Sequence, residues 1–554
     1  MEHPGIFEGL SPAQKSAVEA LRGPVCILAG AGTGKTTTVT RRIANQVASG
    51  AVEAGSILAV TFTDKAAREM RGRLQRLKVE GVRARTFHSA ALAQLRYMYP
   101  EPIGRILNSK GLALRQIGNS LPKPYRFRPA SDLATEIEWA KNRRIAPTDY
   151  LASLGPHQPP VPPDVMLRVY RRYEEGKQKR GLIDFEDLLE LTIRMYDRDP
   201  SALEMMRERY SVFTVDEYQD VNLLQQTLLQ RWLGERDDLC AVGDDYQSIY
   251  GFTGASASHL LDMPKVFSRC QVFKLEENHR STPEVLEVAN RLVPDLGGAE
   301  KILTAVRPSG PKPSIRRFVN DPSLEISYLV DQIKKLAGSG VPYEEMAILY
   351  RVNFRSEEFE EALAEAQIPY QVRDGSFLGR QAARRLLASL RKMTSTAIAE
   401  EVTGVARRQG WDEAGSKDAS EAELTRQKDL TRLVALASEA DDGTQTVSGF
   451  IDDLRARFGG DDGARGVNLL TYHRSKGLEF EAVFLPRILE GELPFKRSSA
   501  DEAVDEERRL FYVGITRAKT HLHITCAPTA KNKASRFFGE SAAGARRGSL
   551  AASG

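Results

Sequence analysis

The sequence predicts an α/β fold: parallel sheets covered by helices, with two regions made of helices alone. Three observations predict it. Short apolar runs alternate with helical stretches, as in "VCILAG" and "SILAVTFT" early, "SVFTVDE" and "LCAVGDD" in the middle, and "MAILYRV" and "EAVFLPRI" late. Strands alternating with helices form parallel sheets with helices on both faces. The run Ile27 to Arg42, "ILAGAGTGKTTTVTRR", passes from a strand pattern through glycines into a helix pattern, as a phosphate-holding turn does. Residues 93–181 and 394–465 lack the strand rhythm and read as helical insertions, with breaks at "LGPHQPPVPPD", "DDG" and "GGDDG".

The bulk composition bounds the rest. At about 100 to 200 residues per domain, 554 residues suggest three to five domains. Hydrophobic residues are 41% and charged residues 27%, the balance of a globular protein. The net charge of +4 excludes a polybasic chain, so nucleic acid would need a local groove. Cys26, Cys240, Cys270 and Cys526 stand singly, which argues against a zinc site or disulfide framework and suits a reducing cytosol. The start "MEHPGIFEGL" lacks a signal-peptide pattern. No apolar run approaches the roughly 20 residues of a membrane span, so no membrane partner is expected. The residues 528–554, rich in Ala, Gly, Ser, Arg and Lys, read as a flexible tail.

The phosphate loop comes first along the chain. Ala29 stands where the strict pattern has its first glycine. Gly30, Gly32 and Gly34 permit tight turns, and backbone N–H groups from Ala29, Gly30, Ala31, Gly32, Thr33, Gly34 and the helix start at Lys35, Thr36 and Thr37 would cradle phosphates. Lys35 would reach the β and γ phosphates of ATP, and the Thr36 hydroxyl would hold Mg²⁺. An acidic partner follows in "SVFTVDEYQD": Asp216 to hold the metal and Glu217 to act as general base on water. About 180 residues separate Lys35 from Asp216, more than a compact P-loop domain needs, and the first insertion accounts for the excess.

Beyond these, "VGDDYQSIYGFTGA", "VNLLTYHRSKGLEFEAVFLP" and "EERRLFYVGITRAK", with "LSPAQKSAV", "VTFTDKAAREM", "TFHSAALAQL", "IDFEDLL" and "LEENHRST", occur in the order found in the UvrD/Rep/PcrA-type superfamily 1 DNA helicases. The resemblance covers roughly residues 10 to 525. "EIEWAKNRRI", the short second insertion and "DEAVDEERRLFYVGITRA" most resemble the second, actinobacterial paralogue of that family. The resemblance implies two RecA-like P-loop motor domains, each with a helical insertion. The first domain would be residues 1–92 and 182–264 around the insertion 93–181. The second would be 265–393 and 466–527 around 394–465.

The same resemblance implies the site. Gln14 would read the adenine edge, Gln247 would sense the γ-phosphate, and Glu479 would contact the ribose. Arg280 and Arg517 would reach the γ-phosphate from the second domain, where guanidinium groups suit charge spread over phosphate oxygens. ATP would then lie between the two domains and draw them together. His279 stands where the family has an adenine-stacking tyrosine, so looser base discrimination is expected. Phe62, Thr63, Tyr250 and Phe252 occupy positions where the family contacts single-stranded DNA, with His88, Phe185 and His473 as further contacts. Phe252 and Thr253 stand where the family commonly has tryptophan and arginine. The spacing of Phe185 also fits a helix core. Stacking contributes roughly 1 to 3 kcal/mol per base and tolerates any sequence, which suits a translocating enzyme.

The activity implied is that of an ATP-dependent 3′-to-5′ DNA helicase, a DNA-stimulated ATP hydrolase. Its partners would be single-stranded and tailed double-stranded DNA, with repair-complex proteins as further candidates. A bacterial cytoplasmic, nucleoid-associated monomer is expected, with a dimer as the alternative. One rival is a single-stranded DNA translocase that displaces proteins with little unwinding. Another is a scaffold whose ATPase only switches an interface. The paralogue's C-terminal accessory domains have no counterpart before Gly554, so single-strand tracking with weak unwinding is expected.

Overall fold

The computed structural model describes residues 5–99, 103–126, 128–372, 377–391, 393–412, 420–441, 443, 445–458, 465–495 and 501–542. The expected turn at "GGDDG" and the end of the expected tail, from 543 onward, lie outside them.

Two units form. The first comprises Met1–Leu121, Ala130–Arg280 and Leu296–Arg307, and the second Pro122–Pro129, Ser281–Asp295 and Pro308–Gly554. The first holds a six-stranded parallel sheet in the order Arg83–Thr86, Ile57–Thr61, Val212–Val215, Leu239–Gly243, Val25–Ala29, Gln271–Leu275. Side chains alternate across each strand. Val25, Ile27 and Ala29 face one core with Val39 and Ile43. Cys26 and Leu28 face the other, with Leu95, Leu189 and Trp232. A strand buried on both faces must be apolar throughout, which is why "VCILA" shows no polar alternation.

The second unit repeats the plan. Its six parallel strands run Ser314–Arg317, Ala518–Cys526, Phe480–Leu485, Met346–Tyr350, Val467–Thr471, Tyr370–Val372. The expected α/β architecture of parallel sheets with helical insertions is what forms.

Several boundaries move. The helix Phe87–Met98 runs across the expected edge at 92/93 and packs Phe87, Ala91 and Leu95 into the first sheet's core. The first insertion proper is built on the helices Gly111–Asn119, Ala130–Asn142 and Pro163–Lys179. The strand Gln271–Leu275, expected in the second domain, pairs with Val25–Ala29 and closes the first sheet. The second insertion starts before 394: the helix Gln381–Leu390 shares a core with Ile398–Arg408, Glu421–Ala440 and Val447–Phe458. The expected tail from 528 is folded in its first part. The helix Arg536–Ala542 buries Phe537 against Phe511, and Arg508 pairs with Glu540 at 3.2 Å. A buried aromatic outweighs the tail's polar composition.

Candidate nucleotide and nucleic-acid site

The phosphate loop sits where the strand Val25–Ala29 ends and the helix Lys35–Ala48 begins. Ala29 is the last strand residue and its side chain lies in the core, so its share in the loop is backbone alone. Gly32 and Gly34 have φ of 69° and 77°, the left-handed region that only glycine enters without strain. Close neighbours reinforce the requirement: a Cβ on Gly30 would lie 2.3 Å from Leu303 Cδ2, and one on Gly34 would lie 2.7 Å from Gln14 Nε2.

The loop is braced from outside. Thr33 Oγ1 donates to Gly30 O at 2.9 Å, and Asn278 Nδ2 donates to Ala31 O at 2.6 Å. His279 N donates to Gly32 O at 3.0 Å. Gln14 Nε2 donates to Thr33 O at 2.9 Å while its Oε1 accepts from Ser11 N at 2.9 Å. The amide expected to read adenine thus holds the loop through its nitrogen, while its oxygen closes the capping box of the helix Pro12–Glu19. The His279 side chain is exposed, and its backbone pins the loop. Thr37 Oγ1 accepts from Arg73 Nη1 at 3.0 Å.

The acidic pair emerges at the end of the strand Val212–Val215 in the same sheet. Asp216 is buried, and burial together with the Glu217 carboxylate pushes its carboxyl up to about 7, with Lys35 and Arg73 opposing. Asp216 Oδ1 accepts from Glu217 N at 3.0 Å. Glu217 has φ 54° and ψ 42°, a left-handed conformation for a residue with a side chain. Such a residue costs of order 1 to 3 kcal/mol and persists only where its surroundings hold it. Gln219 Nε2 donates to Glu217 Oε2 at 2.6 Å, and Gln247 Nε2 donates to Asp244 Oδ2 at 2.7 Å.

Arg280 needs a correction. It was expected from the second domain, opposite Lys35. The pairing of Gln271–Leu275 with Val25–Ala29 carries it into the first unit, beside the loop. A Cβ on Gly32 would lie 2.8 Å from Arg280 Cβ, and Asn278 Oδ1 accepts from Arg280 N at 2.8 Å.

The aromatics lie in the first unit too. Phe62 is 46% exposed and Phe252 is 48% exposed, so neither is core. Phe62 and Tyr250 lie parallel, with centroids 6.1 Å apart and planes 9° apart, and Tyr250 meets Phe252 at 6.1 Å. Thr63 caps the helix Asp64–Arg76, its side chain accepting from Ala66 N. The turn carrying Phe252 is held by the first insertion, where Asn142 Nδ2 donates to Thr253 O at 2.8 Å. Phe185 is 43% exposed at the first turn of the helix Phe185–Arg198, which excludes the helix-core alternative. Its ring meets His88 edge-on at 5.9 Å. Burial and the Lys110 ammonium push the His88 imidazole down to about 4, so it is neutral at neutral pH. Beneath Phe185, Asp184 caps its helix and receives Lys141 and Lys177 at 2.7 Å each. Against the penalty of burial, these ammoniums hold its carboxyl well below the usual range.

The second unit places Arg517, Glu479 and His473 at strand ends of its own sheet. Arg517 is buried and donates to Val513 O at 2.9 Å, Leu478 O at 3.1 Å and Thr516 Oγ1 at 3.1 Å. Glu479 is exposed, 3.6 Å from Lys519. Burial, with Arg351 and Lys476, pushes His473 well below its ordinary value.

Thr36 and Asp216 offer hydroxyl and carboxylate oxygens, the donors Mg²⁺ takes. Asp216 and Glu217 set two adjacent carboxylates at the end of the strand Val212–Val215, a donor set that fits a divalent cation. Among residues that sequence reasoning missed are Gln219, Asp244, Asn278 and Arg73. Gln219 lies within "DEYQD", Asp244 within "VGDDYQSIYGFTGA" and Asn278 within "LEENHRST", whereas nothing local marks Arg73.

The sequence matches the UvrD/REP helicase N-terminal domain over residues 10–268 and the UvrD-like helicase C-terminal domain over residues 273–397 and 396–529. It is 40% identical to the ATP-dependent DNA helicase UvrD2 of Mycobacterium tuberculosis (strain ATCC 25618 / H37Rv), over 94% of this chain and 79% of that one. It is 31% identical to the ATP-dependent DNA helicase PcrA of Bacillus subtilis (strain 168), over 97% and 86%, and 28% identical to PcrA of Staphylococcus aureus (strain MRSA252), over the same shares. With both domains matched across nearly the whole described length, this chain belongs to the UvrD/Rep helicase family.

Proposed function

We propose that the chain is an ATP-dependent DNA helicase that moves 3′ to 5′ along single-stranded DNA and serves DNA repair or replication. One observation carries the reading most directly. The phosphate loop and acidic pair share a unit with an aromatic row in which exposed Phe62 and Phe252 flank a half-buried Tyr250. The relatives' names as ATP-dependent DNA helicases support it.

The chemistry is hydrolysis of ATP to ADP and phosphate. Glu217 takes a proton from water as the water oxygen bonds to the γ-phosphorus and the bond to the ADP oxygen breaks. Lys35, Arg280 and Arg517 are the cations assigned to the charge that spreads over the phosphate oxygens. Thr36 and Asp216 are the residues that would hold Mg²⁺, which when bound neutralises charge on the β and γ phosphates. Gln14 orders the loop, and Phe62, Tyr250 and Phe252 offer faces on which bases stack.

The test is ATP hydrolysis with and without single-stranded DNA, beside strand displacement on 3′- and 5′-tailed duplexes. Stimulation by the strand and displacement of the 3′-tailed duplex alone support the reading. Stimulation without displacement favours a translocase that strips proteins from DNA. Hydrolysis indifferent to DNA favours an ATP-switched scaffold. Lys35→Ala and Glu217→Gln are each expected to abolish turnover, with Glu217→Gln still binding ATP. A near-normal rate in either overturns the assignment.

A further inference from the structure

One buried amide lies between the general base and the loop that carries the aromatics. Gln219 is 0% exposed. Its Nε2 donates to Glu217 Oε2 at 2.6 Å and to Asp220 Oδ2 at 3.3 Å. Its Oε1 accepts from Asp244 N at 2.9 Å, and Asp244 holds Gln247. Its carbonyl accepts from Ser248 Oγ at 3.3 Å. The approach needs glycine at 243, where a Cβ would lie 2.5 Å from Gln219 Oε1 and 3.2 Å from Gln219 N. Two further links run alongside: Ser256 N donates to Val221 O at 3.1 Å, and Asn222 bridges Ala255. The segment 217–222 is thus fastened at several points to 244–256, the stretch that ends in the Tyr250 and Phe252 loop.

A buried amide committed at both ends cannot turn without leaving a donor or an acceptor unmet. A shift of the 244–256 stretch therefore reaches the Glu217 carboxylate through Gln219. Glu217 is poised to respond, because its left-handed backbone is held by its surroundings rather than by its own preference. We propose that Gln219 is a positioning residue that couples single-stranded DNA on the Tyr250–Phe252 loop to the orientation of the Glu217 carboxylate. Gln219 is fully buried and acts in this proposal through Glu217. The proposal rests on the DNA-stimulated hydrolysis proposed above and says how the stimulation reaches the base.

The experiment compares wild type with Gln219→Met, which keeps the volume and removes both amide bonds. ATP hydrolysis is measured across ATP concentrations with and without saturating oligo(dT), and oligo(dT) affinity is measured by fluorescence anisotropy. The expected result is a DNA-stimulated kcat lowered by about tenfold or more, with KM for ATP and Kd for oligo(dT) within about twofold of wild type. If Gln219→Met fails to fold, Ser248→Ala removes only the hydroxyl tether, and a fall of about threefold in the stimulation ratio is expected. Wild-type stimulation in folded Gln219→Met, or in Ser248→Ala where the first does not fold, overturns the coupling alone. So does a raised KM with unchanged kcat, which would make Gln219 a shaper of the nucleotide site. A wild-type enzyme that oligo(dT) does not stimulate overturns the proposed function and the coupling with it.

Discussion

Lys301 is a fully buried lysine whose ammonium is bonded to Asp245, lies 3.7 Å from Asp244, and sits 3.8 Å from the centroid of the Tyr246 ring. Two desolvated charges add little net stability as a pair, but removing one leaves the other unpaired, at about 3 to 5 kcal/mol. Lys301→Met is expected to lower the unfolding free energy by that amount in urea titrations, and a loss under about 1 kcal/mol would show the pair to be solvated. His88 gives a pH dependence. Its imidazole is held at about 4, below the ordinary 6.5, so the unfolded chain takes up the proton first as pH falls. Its contribution to stability is full above 6.5 and is lost as pH falls from there through about 4. His88→Asn should therefore flatten the fall of the urea midpoint across that window, and parallel profiles would place the ring in solvent. At this scale the legible residues were those whose function lies in their neighbours in sequence: the glycines and Lys35 in one run, Asp216 and Glu217 in another. Lys301 and Asn278 were not legible, because each acts through a partner that only the fold brings near, and for Gln219 it is the link to Asp244 that the fold supplies. Arg280 was legible as a residue and misplaced as to unit, since its place depends on a strand pairing across nearly the whole first unit.

Among elements, the strongly periodic ones were readable and their edges were not. The strand Gln271–Leu275 is mostly exposed on the sheet's edge, so its sequence lacks the apolar run that marked the central strands. The helix Arg536–Ala542 is short and sits in a polar stretch, and Phe537 alone reveals that it packs. Phe537→Ala should cost about 3 to 5 kcal/mol, the usual loss for a buried aromatic, measured as a fall in unfolding free energy. An unchanged midpoint would mean that the helix is not docked. The turn that presents Phe252 is held by the first insertion through Asn142, so this insertion supports the proposed DNA-stacking residues.

At the scale of the molecule, each unit brings its own sheet and cores, and the aromatic track belongs to the first. Phe62→Ala and Phe252→Ala should each weaken oligo(dT) binding by roughly 1 to 3 kcal/mol per lost stack while leaving DNA-free hydrolysis near wild type. Undiminished stimulation in Phe252→Ala would remove it from the track. The second insertion is a compact group of four helices. Strand displacement on a 3′-tailed duplex is accordingly expected to be slow and to weaken steeply with salt, as binding through phosphates does. Fast, processive displacement at moderate salt would refute this.

The return of Leu296–Arg307 to the first unit has a consequence for how the protein is made. Leu303 packs against Gly30, yet it is translated about 270 residues later. At ~5 to 20 residues per second, roughly 14 to 55 seconds pass between them on the ribosome. During that interval the nascent chain carries a phosphate loop without its packing neighbour, beside an Asp245 still waiting for its lysine. The packing around the phosphate loop is completed only once Leu296–Arg307 has been made, so a half-made chain carries the loop without the support it has in the finished protein.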